Sequence, residues 1–264
     1  MRGKEAGVLI HPTAIVDPGA RLAIGVSVGA YSIIGADVDV GENTWIAPHV
    51  VISGPTRIGR NNKIYQFSSI GAAPQDKKYA GEKTLLEIGD GNVIRECCTI
   101  NRGTAQGGGV TRIGSNNWIM AYVHIAHDCI IGDGTVLANN ASLAGHVTVQ
   151  DYVILGGFTL VHQFCIVGAY AFTAMASAIS KDVPPYLMVS GHMAKPHGLN
   201  TEGLKRHGFS SGTISQLRRA YKILYRSNYT VDQALEKLQE LEQDCLEVTR
   251  WVEFLRNTTR GIVR

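Results

Sequence analysis

The sequence has almost no excess charge of either sign: 25 Lys and Arg stand against 22 Asp and Glu, a formal net charge of +3. A nucleic-acid binder usually concentrates cations on one face with aromatic side chains among them, and no such stretch occurs, so no nucleic-acid partner is expected. Cysteine is scarce and poorly placed for cross-linking. Cys97, Cys98, Cys129, Cys165 and Cys245 form no CxxC pair, and an odd number argues against a disulfide framework. Met1 to Ile10 lacks the apolar run of a secretory signal, so a cytoplasmic location is expected. Charge itself is missing from Tyr152 to Ser180, a stretch long enough for a membrane span. Gly156, Gly157, His162 and Gln163 interrupt it and a six-residue rhythm runs through it, so a buried repeat segment is expected and no integral membrane segment.

That rhythm dominates what is present. An aliphatic residue returns at every sixth position through Ile113, Ile119, Ile125, Ile131, Leu137, Leu143, Val149, Leu155, Val161, Val167 and Ile179, broken only by Thr173. Four positions after most of these stands a small or β-branched residue, as at Val123, Cys129, Thr135, Ala141, Val147, Val153, Thr159, Cys165, Ala171 and Ser177. The first half carries the same series from Ile10 to Ile70. A helix would repeat its apolar face every three to four residues and a lone strand every second residue, so neither explains the period. Hexapeptides of fixed period mark a parallel β-helix, in which each coil covers the apolar end of the one before. Glycine often follows the aliphatic residue, as at Gly29, Gly35, Gly41, Gly59 and Gly71, where a corner would need positive φ or a close backbone approach.

Two breaks, near 72–87 and 101–112, read as loops projecting from the scaffold, places where binding residues concentrate. After Pro184-Pro185 the spacing becomes helical: Ile214, Leu217, Tyr221 and Leu224 share one face, then Ala234, Leu238 and Leu241, then Val248, Val252 and Leu255. Thr230 with Gln233 forms a capping box. The expected organisation is a parallel β-helix over 1–190 and a helical domain over 191–264.

With three hexads per coil, residues 18 apart stack on the outside, placing Gly145 beside His127 and His146 beside Asp128. His127 falls on an outward phase, facing solvent or a partner subunit. A histidine beside a carboxylate is a candidate general base, and the Gly145 N–H could hold an oxyanion. Spacing leaves two other readings open: a solvated surface histidine, or a metal site drawing on His124, His127, His146 and His162. The segment from Gly103 to Gly109 lacks the Lys and Ser or Thr of a phosphate loop and reads as a flexible turn.

Longer strings are more specific. Ile125-Ala126-His127-Asp128-Cys129, Leu137-Ala138-Asn139-Asn140, Leu143-Ala144-Gly145-His146, Val161-His162-Gln163-Phe164 and the run from Asn200 to Phe209 together resemble the UDP-N-acetylglucosamine O-acyltransferase family, the first acyltransferases of lipid A synthesis. The resemblance implies a left-handed parallel β-helix of hexapeptide repeats followed by a C-terminal helical domain, assembled as a homotrimer with active sites between adjacent helices. It implies transfer of a 3-hydroxyacyl chain from acyl carrier protein to the 3-hydroxyl of UDP-N-acetylglucosamine, without cofactor or metal, the acyl donor riding on the carrier's phosphopantetheine. His127 would be the base, Asp128 its support and Gly145 the oxyanion donor. Gln75, Asp76 and Lys78 would meet the sugar nucleotide and the pantetheine region. His124, His146, His162 and Gln163 would line the sugar and phosphate site, and Asn200, Glu202 and Arg206 would bind the uridine diphosphate.

The sequence departs from the family pattern at Asn101 and His207, where histidine and a second arginine are common. Asn101 is expected to alter contacts near the sugar, leaving a 3-amino sugar nucleotide as an alternative acceptor, and His207 to weaken or pH-tune diphosphate contact. Met175 stands where family members vary in bulk and is expected to limit acyl-chain length. A net charge of +4 over 181–264 suits an acidic carrier protein. A hexapeptide metalloenzyme of the carbonic-anhydrase type and a non-catalytic scaffold are the remaining alternatives.

Overall fold

The computed structural model describes residues 7–243, 245–258 and 260–264. Residues 1–6, part of the segment read as lacking a signal, lie outside them. Strands of mostly two residues alternate with turns, and each pairs in parallel with the strand one coil away, Leu9 opposite Ser27 and Ile15 opposite Ile33. The pairings sort into three sheets of 11, 9 and 8 strands, the faces of a left-handed triangular prism. We call them face A, beginning at Leu9–Ile10, face B, at Ile15–Val16, and face C, at Arg21–Leu22.

The hexad explains the prism. Its aliphatic member points inward, and Ile34, Ile64, Ile94, Ile125 and Leu143 are fully buried in one continuous stack. The smaller member, such as Cys98, Cys129 or Ala141, fills the space beside it, and burial pushes the Cys98 and Cys129 thiols up to about 12, as expected of inert core groups. Thr173, the break in the series, is still inward and satisfied: its hydroxyl meets Thr159 Oγ1 at 2.7 Å and accepts from the Gly156 N–H. Asn62, Asn92, Asn117 and Thr135 form a buried ladder in which each Asn Oδ1 accepts the backbone N–H of the next.

The two expected uses of glycine both occur, Gly71 taking positive φ and Gly29 a close backbone approach, and positive φ is not confined to glycine. Positive φ falls on Asn, Asp, His and aromatic residues, such as Asn43, Asp128, His146 and Tyr170, and the larger rings stack along the prism edges, Tyr31 on His49 on Phe67. Gly29 has ordinary φ. It is needed because a Cβ there would lie 2.4 Å from the Pro48 nitrogen of the next coil.

The two excursions occupy residues 73–84 and 102–109, between the strands Ser69–Ala72 and Leu85–Ile88 and between Thr99–Asn101 and Val110–Ile113. Paired residues are 30 apart across the first and 25 apart across the second, as in Lys63 with Val93 and Val93 with Trp118, against 18 in the regular coils. Both leave from the end of a face B strand and return at the start of a face C strand, so both emerge at the B–C edge. Asn101 is buried and donates to the carbonyls of Ala72 and Ala73, tying down the root of the first loop. Asn101 thus has a structural role at the loop root.

Strand pairing continues past residue 190. Leu187–Ser190 extends face A, and Lys195–Leu199 turns back on it antiparallel. Four helices follow: α1 (Thr201–Arg206), α2 (Ser211–Arg226), α3 (Val231–Glu242) and α4 (Leu246–Asn257). The Thr230–Gln233 capping box opens α3 as expected. Helix α4 is fastened to the prism by the fully buried Trp251, whose Nε1 donates to the Pro185 carbonyl at 2.6 Å. The chain then returns, and Ile262 bridges to Asp182 at the end of face C. No helix among the described residues is long and apolar enough to cross a membrane. The uncharged stretch Tyr152–Ser180 is regular prism wall.

Candidate active site

The B–C edge below the two loops gathers His127 and Asp128, then Gly145 and His146 one coil on, then Gln163 and Phe164. His124 and Ser142 pair in register on the neighbouring face B strands, which fixes the spacing of successive corners. His127 Nδ1 lies 2.8 Å from Asp128 Oδ2. Asp128 is the αL corner residue, and its side chain is fully buried.

That carboxylate has more partners than the sequence suggested. Thr104, in the loop of the coil above, donates its backbone N–H to Oδ1 at 2.8 Å and its hydroxyl to Oδ2 at 2.6 Å. The Asp128 N–H in turn donates to Thr111 Oγ1. Gly107 presses on the carboxylate so closely that a Cβ there would be 2.1 Å from Asp128 Cγ. The segment read as a flexible glycine turn is therefore a clamp, opened by a single 3₁₀ turn at Ala105–Gly107 with Thr104 as its N-cap. A carboxylate held by two donors from Thr104 can only accept from His127, which places a proton on Nδ1 and leaves the Nε2 lone pair free.

The imidazole of His127 lies outside the prism, as its phase required, but it is not freely solvated: its side chain retains 15 % of its exposure, with His146 edge-on at 5.2 Å. It lies flat over Gly145, where a Cβ would come 2.5 Å from Cε1 and 2.8 Å from Nε2. The Gly145 N–H makes no hydrogen bond within the chain among the described residues, so an unused donor lies next to the ring that carries the free lone pair. Gly145→Ala should push the ring off its position and lower kcat roughly tenfold or more without loss of fold, since misplacement by an ångström can cost about a hundredfold. Unchanged kcat in a correctly folded variant would show that the close packing is dispensable.

His124 sits on the adjacent face B strand, its Nδ1 2.7 Å from Thr99 Oγ1. Burial, followed by the proximity of His127, lowers its pKa below the ordinary 6.5. Because the folded value is depressed, the unfolded chain takes up that proton first, so this site's contribution to stability is complete above about pH 6.5 and is lost as pH falls further. Urea midpoints measured downward from pH 7 should decline less steeply in His124→Gln than in the parent. Parallel declines would remove His124 from the acid sensitivity.

The other anticipated residues divide among the three edges. Gln75, Asp76 and Lys78 lie in the 73–84 loop at the B–C edge, where Asp76 accepts the Lys78 N–H to make a tight bend. Arg102 pins this loop by donating to the Gly71 carbonyl and to Tyr79 Oη. His162 and Gln163 are exposed on the same edge as His127. Met175 is 76 % exposed at the A–B edge. Asn200 caps α1, accepting from the Gly203 N–H and donating to the Tyr170 carbonyl, so that it, Glu202 and Arg206 stand at the C–A edge. His207 packs there against the rings of Tyr152 and Tyr170 at 4.9 and 5.2 Å, tilted on the first and edge-on to the second, a packing role in addition to any diphosphate contact. Within one chain, therefore, only the residues of the B–C edge and His124 on the adjoining strand share a side of the prism with His127. Face B between the edges carries an apolar groove of about 560 Å³ lined by His124, Leu143, Leu160, Val161, His162 and Met193.

A metal reading is weak on this geometry. His127, Asp128 and His146 do bring donor atoms within 4.8 Å of one another. Both Asp128 oxygens, however, are engaged by Thr104 or His127, and a catalytic metal wants three lone pairs converging on one point.

Comparison with known proteins agrees with this arrangement. Residues 182–263 match the profile described as UDP-N-acetylglucosamine O-acyltransferase, domain 2, and residues 37–72 and 111–145 match that of bacterial transferase hexapeptide repeats. A relative from Thiobacillus denitrificans, an acyl-(acyl-carrier-protein)–UDP-N-acetylglucosamine O-acyltransferase, is 60% identical over 97% of this chain and 99% of its own. A protein of the same name from Herminiimonas arsenicoxydans is 56% identical, again over 97% and 99%. Among solved structures, the UDP-N-acetylglucosamine O-acyltransferase of Moraxella catarrhalis superposes with a TM-score of 0.95 at 49% identity, covering 97% of this chain and 99% of that one.

Proposed function

The chain belongs to the UDP-N-acetylglucosamine O-acyltransferase family, and from that premise we propose how its residues carry the reaction, transfer of a 3-hydroxyacyl chain from acyl carrier protein to the 3-hydroxyl of UDP-N-acetylglucosamine. The observation that carries the proposal is the free Nε2 of His127 above the unpaired Gly145 N–H, with Nδ1 fixed by Asp128. Nε2 takes the proton of the sugar 3-hydroxyl as its oxygen attacks the thioester carbonyl. The Gly145 N–H stabilises the tetrahedral oxyanion. Collapse expels the pantetheine thiolate, which recovers the proton from Nε2–H, leaving ester, thiol and enzyme unchanged. The chain itself needs no cofactor or metal for these steps.

His124, His146, His162 and Gln163 on the same edge are assigned to the sugar and its phosphates, and Gln75, Asp76 and Lys78 to the sugar nucleotide and the pantetheine arm. Asn200, Glu202, Arg206 and Met175 lie on other edges, so they reach this centre only from a neighbouring copy. A homotrimer of parallel prisms supplies that neighbour, and the exposed apolar side chains of face B, among them Ile15, Ile33 and Leu160, suit such packing. A cytoplasmic reaction is assigned with these substrates, a carrier protein and an activated sugar. The basic helical domain would steer the acidic carrier, mainly through Lys195, Arg218, Arg219, Lys222 and Arg226, because Lys205 is already paired with Glu202 at 2.8 Å.

The direct test is an assay of the purified protein with 3-hydroxyacyl carrier protein and UDP-N-acetylglucosamine. Formation of the 3-O-acyl sugar nucleotide supports the assignment. Turnover only with the 3-amino sugar, or none with either, would refute it. Met175 gives a second test. If it limits the length of the bound chain, Met175→Gly should raise kcat/KM for a fourteen-carbon donor relative to a ten-carbon donor by about tenfold or more, since each buried methylene is worth about 0.8 kcal/mol. An unchanged ratio would assign length selection elsewhere.

A further inference from the structure

We propose that Thr104 is a positioning residue of the acyl transfer, acting through Asp128 to hold the tautomer and orientation of His127. This inference rests on the functional assignment above. Thr104 is 2 % exposed, and it supplies two of the three hydrogen bonds that the Asp128 carboxylate receives, one from its backbone N–H and one from its hydroxyl. The hydroxyl has a single proton. Its lone pair receives the Gly107 N–H at 3.2 Å, so that proton is directed at Asp128 Oδ2, the same oxygen that faces His127 Nδ1. The carboxylate therefore cannot rotate without breaking the bonds to Thr104. A loop from one coil thus fixes the acid–base pair of the next, and Gly107 closes the remaining space.

The geometry also separates Thr104 from a simple loop support. Loop shape is held independently by the Gly107 and Gly109 N–H groups on the Thr104 carbonyl and by the Gly103 N–H on the Leu85 carbonyl, all backbone bonds that survive a change of side chain. What the side chain adds is the hydroxyl bond to Asp128 and a second acceptor for the Gly107 N–H, which keeps the Thr104 carbonyl when the hydroxyl is lost. A hydrogen bond to a charged group is worth enough that its loss should lower kcat about tenfold or more, while the sugar-contacting residues keep their places and KM stays within about twofold.

The experiment compares the full-length parent with Thr104→Val, Thr104→Ser and the pair Thr104→Val/Asp128→Ala. The expected result is a fall in kcat for Thr104→Val at nearly constant KM, recovery in Thr104→Ser, and no further loss when Thr104→Val is added to Asp128→Ala, because the partner through which it acts is gone. Equal kcat in Thr104→Val and parent would overturn the inference, and so would fully additive losses in the double variant. If Thr104→Val does not fold, Thr104→Ala against Thr104→Ser asks the same question. A parent without acyl transfer would instead refute the functional assignment, which keeps the two failures distinct.

Discussion

Replacing His127 by alanine should lower kcat for acyl transfer by about 10² to 10⁴, the range expected for loss of a general base. Binding of the sugar nucleotide should change little, because the groups assigned to it lie elsewhere on the edge. The fold should also survive: the ring lies outside the apolar stack and its backbone carbonyl still accepts the His146 N–H. Steady-state rates with saturating donor and acceptor, together with a thermal melt, measure both parts. Acylation by His127→Ala at the parental rate would remove this imidazole from the chemistry and with it the role given to the Gly145 N–H.

Asp128→Asn tests the other half of the pair, and the donor–acceptor inventory makes the outcome specific. The amide oxygen can still accept from the Thr104 N–H. Its NH₂ then faces His127 Nδ1, where the carboxylate had accepted. That NH₂ can be satisfied only if Nδ1 becomes the acceptor, which moves the imidazole proton to Nε2. A protonated Nε2 cannot take the sugar proton, so kcat should fall by about the same 10² to 10⁴, although the altered side chain does not itself touch the substrate. The buried site would also lose its charge-assisted bonds, at about 1–3 kcal/mol in stability. Urea denaturation and kcat together report the two effects. An Asp128→Asn enzyme with parental kcat would show that the carboxylate does not set the tautomer.

The prism was legible because its cause is local and periodic. Every inward slot announces itself by side-chain type, so Ile125 and Leu143 could be stacked by counting, and they are partners in the structure. Contacts that depend on where the count fails were not legible. Thr104 reaches Asp128 because the coil between them has 25 residues, not 18, and a glycine-rich string gives no local sign of the carboxylate it encloses. His127, read as facing solvent or a partner, is largely covered within its own chain, with His146 edge-on and Gly145 close beside it. Corner glycines were read as a choice between φ and contact, and both occur, Gly71 with positive φ and Gly29 with the close contact, while Asn43 and Asp128 show that αL needs no glycine. Helix α1 was missed because it spans only six residues with Gly203 inside, and the hairpin at 187–199 because Gly191 and Pro196 disrupt any strand pattern.

Both long insertions emerge at the B–C edge, and the pairs on either side remain in step, Leu86 with Thr111 and Val93 with Trp118. A rung of this molecule is therefore defined by its hydrogen-bonded partners, not by the number of residues travelled to reach it. Chain length is unconstrained at such a corner while the wall behind it stays invariant. Loops of other lengths could be grafted there to recognise other acceptors, with the proton-transfer machinery left where it stands.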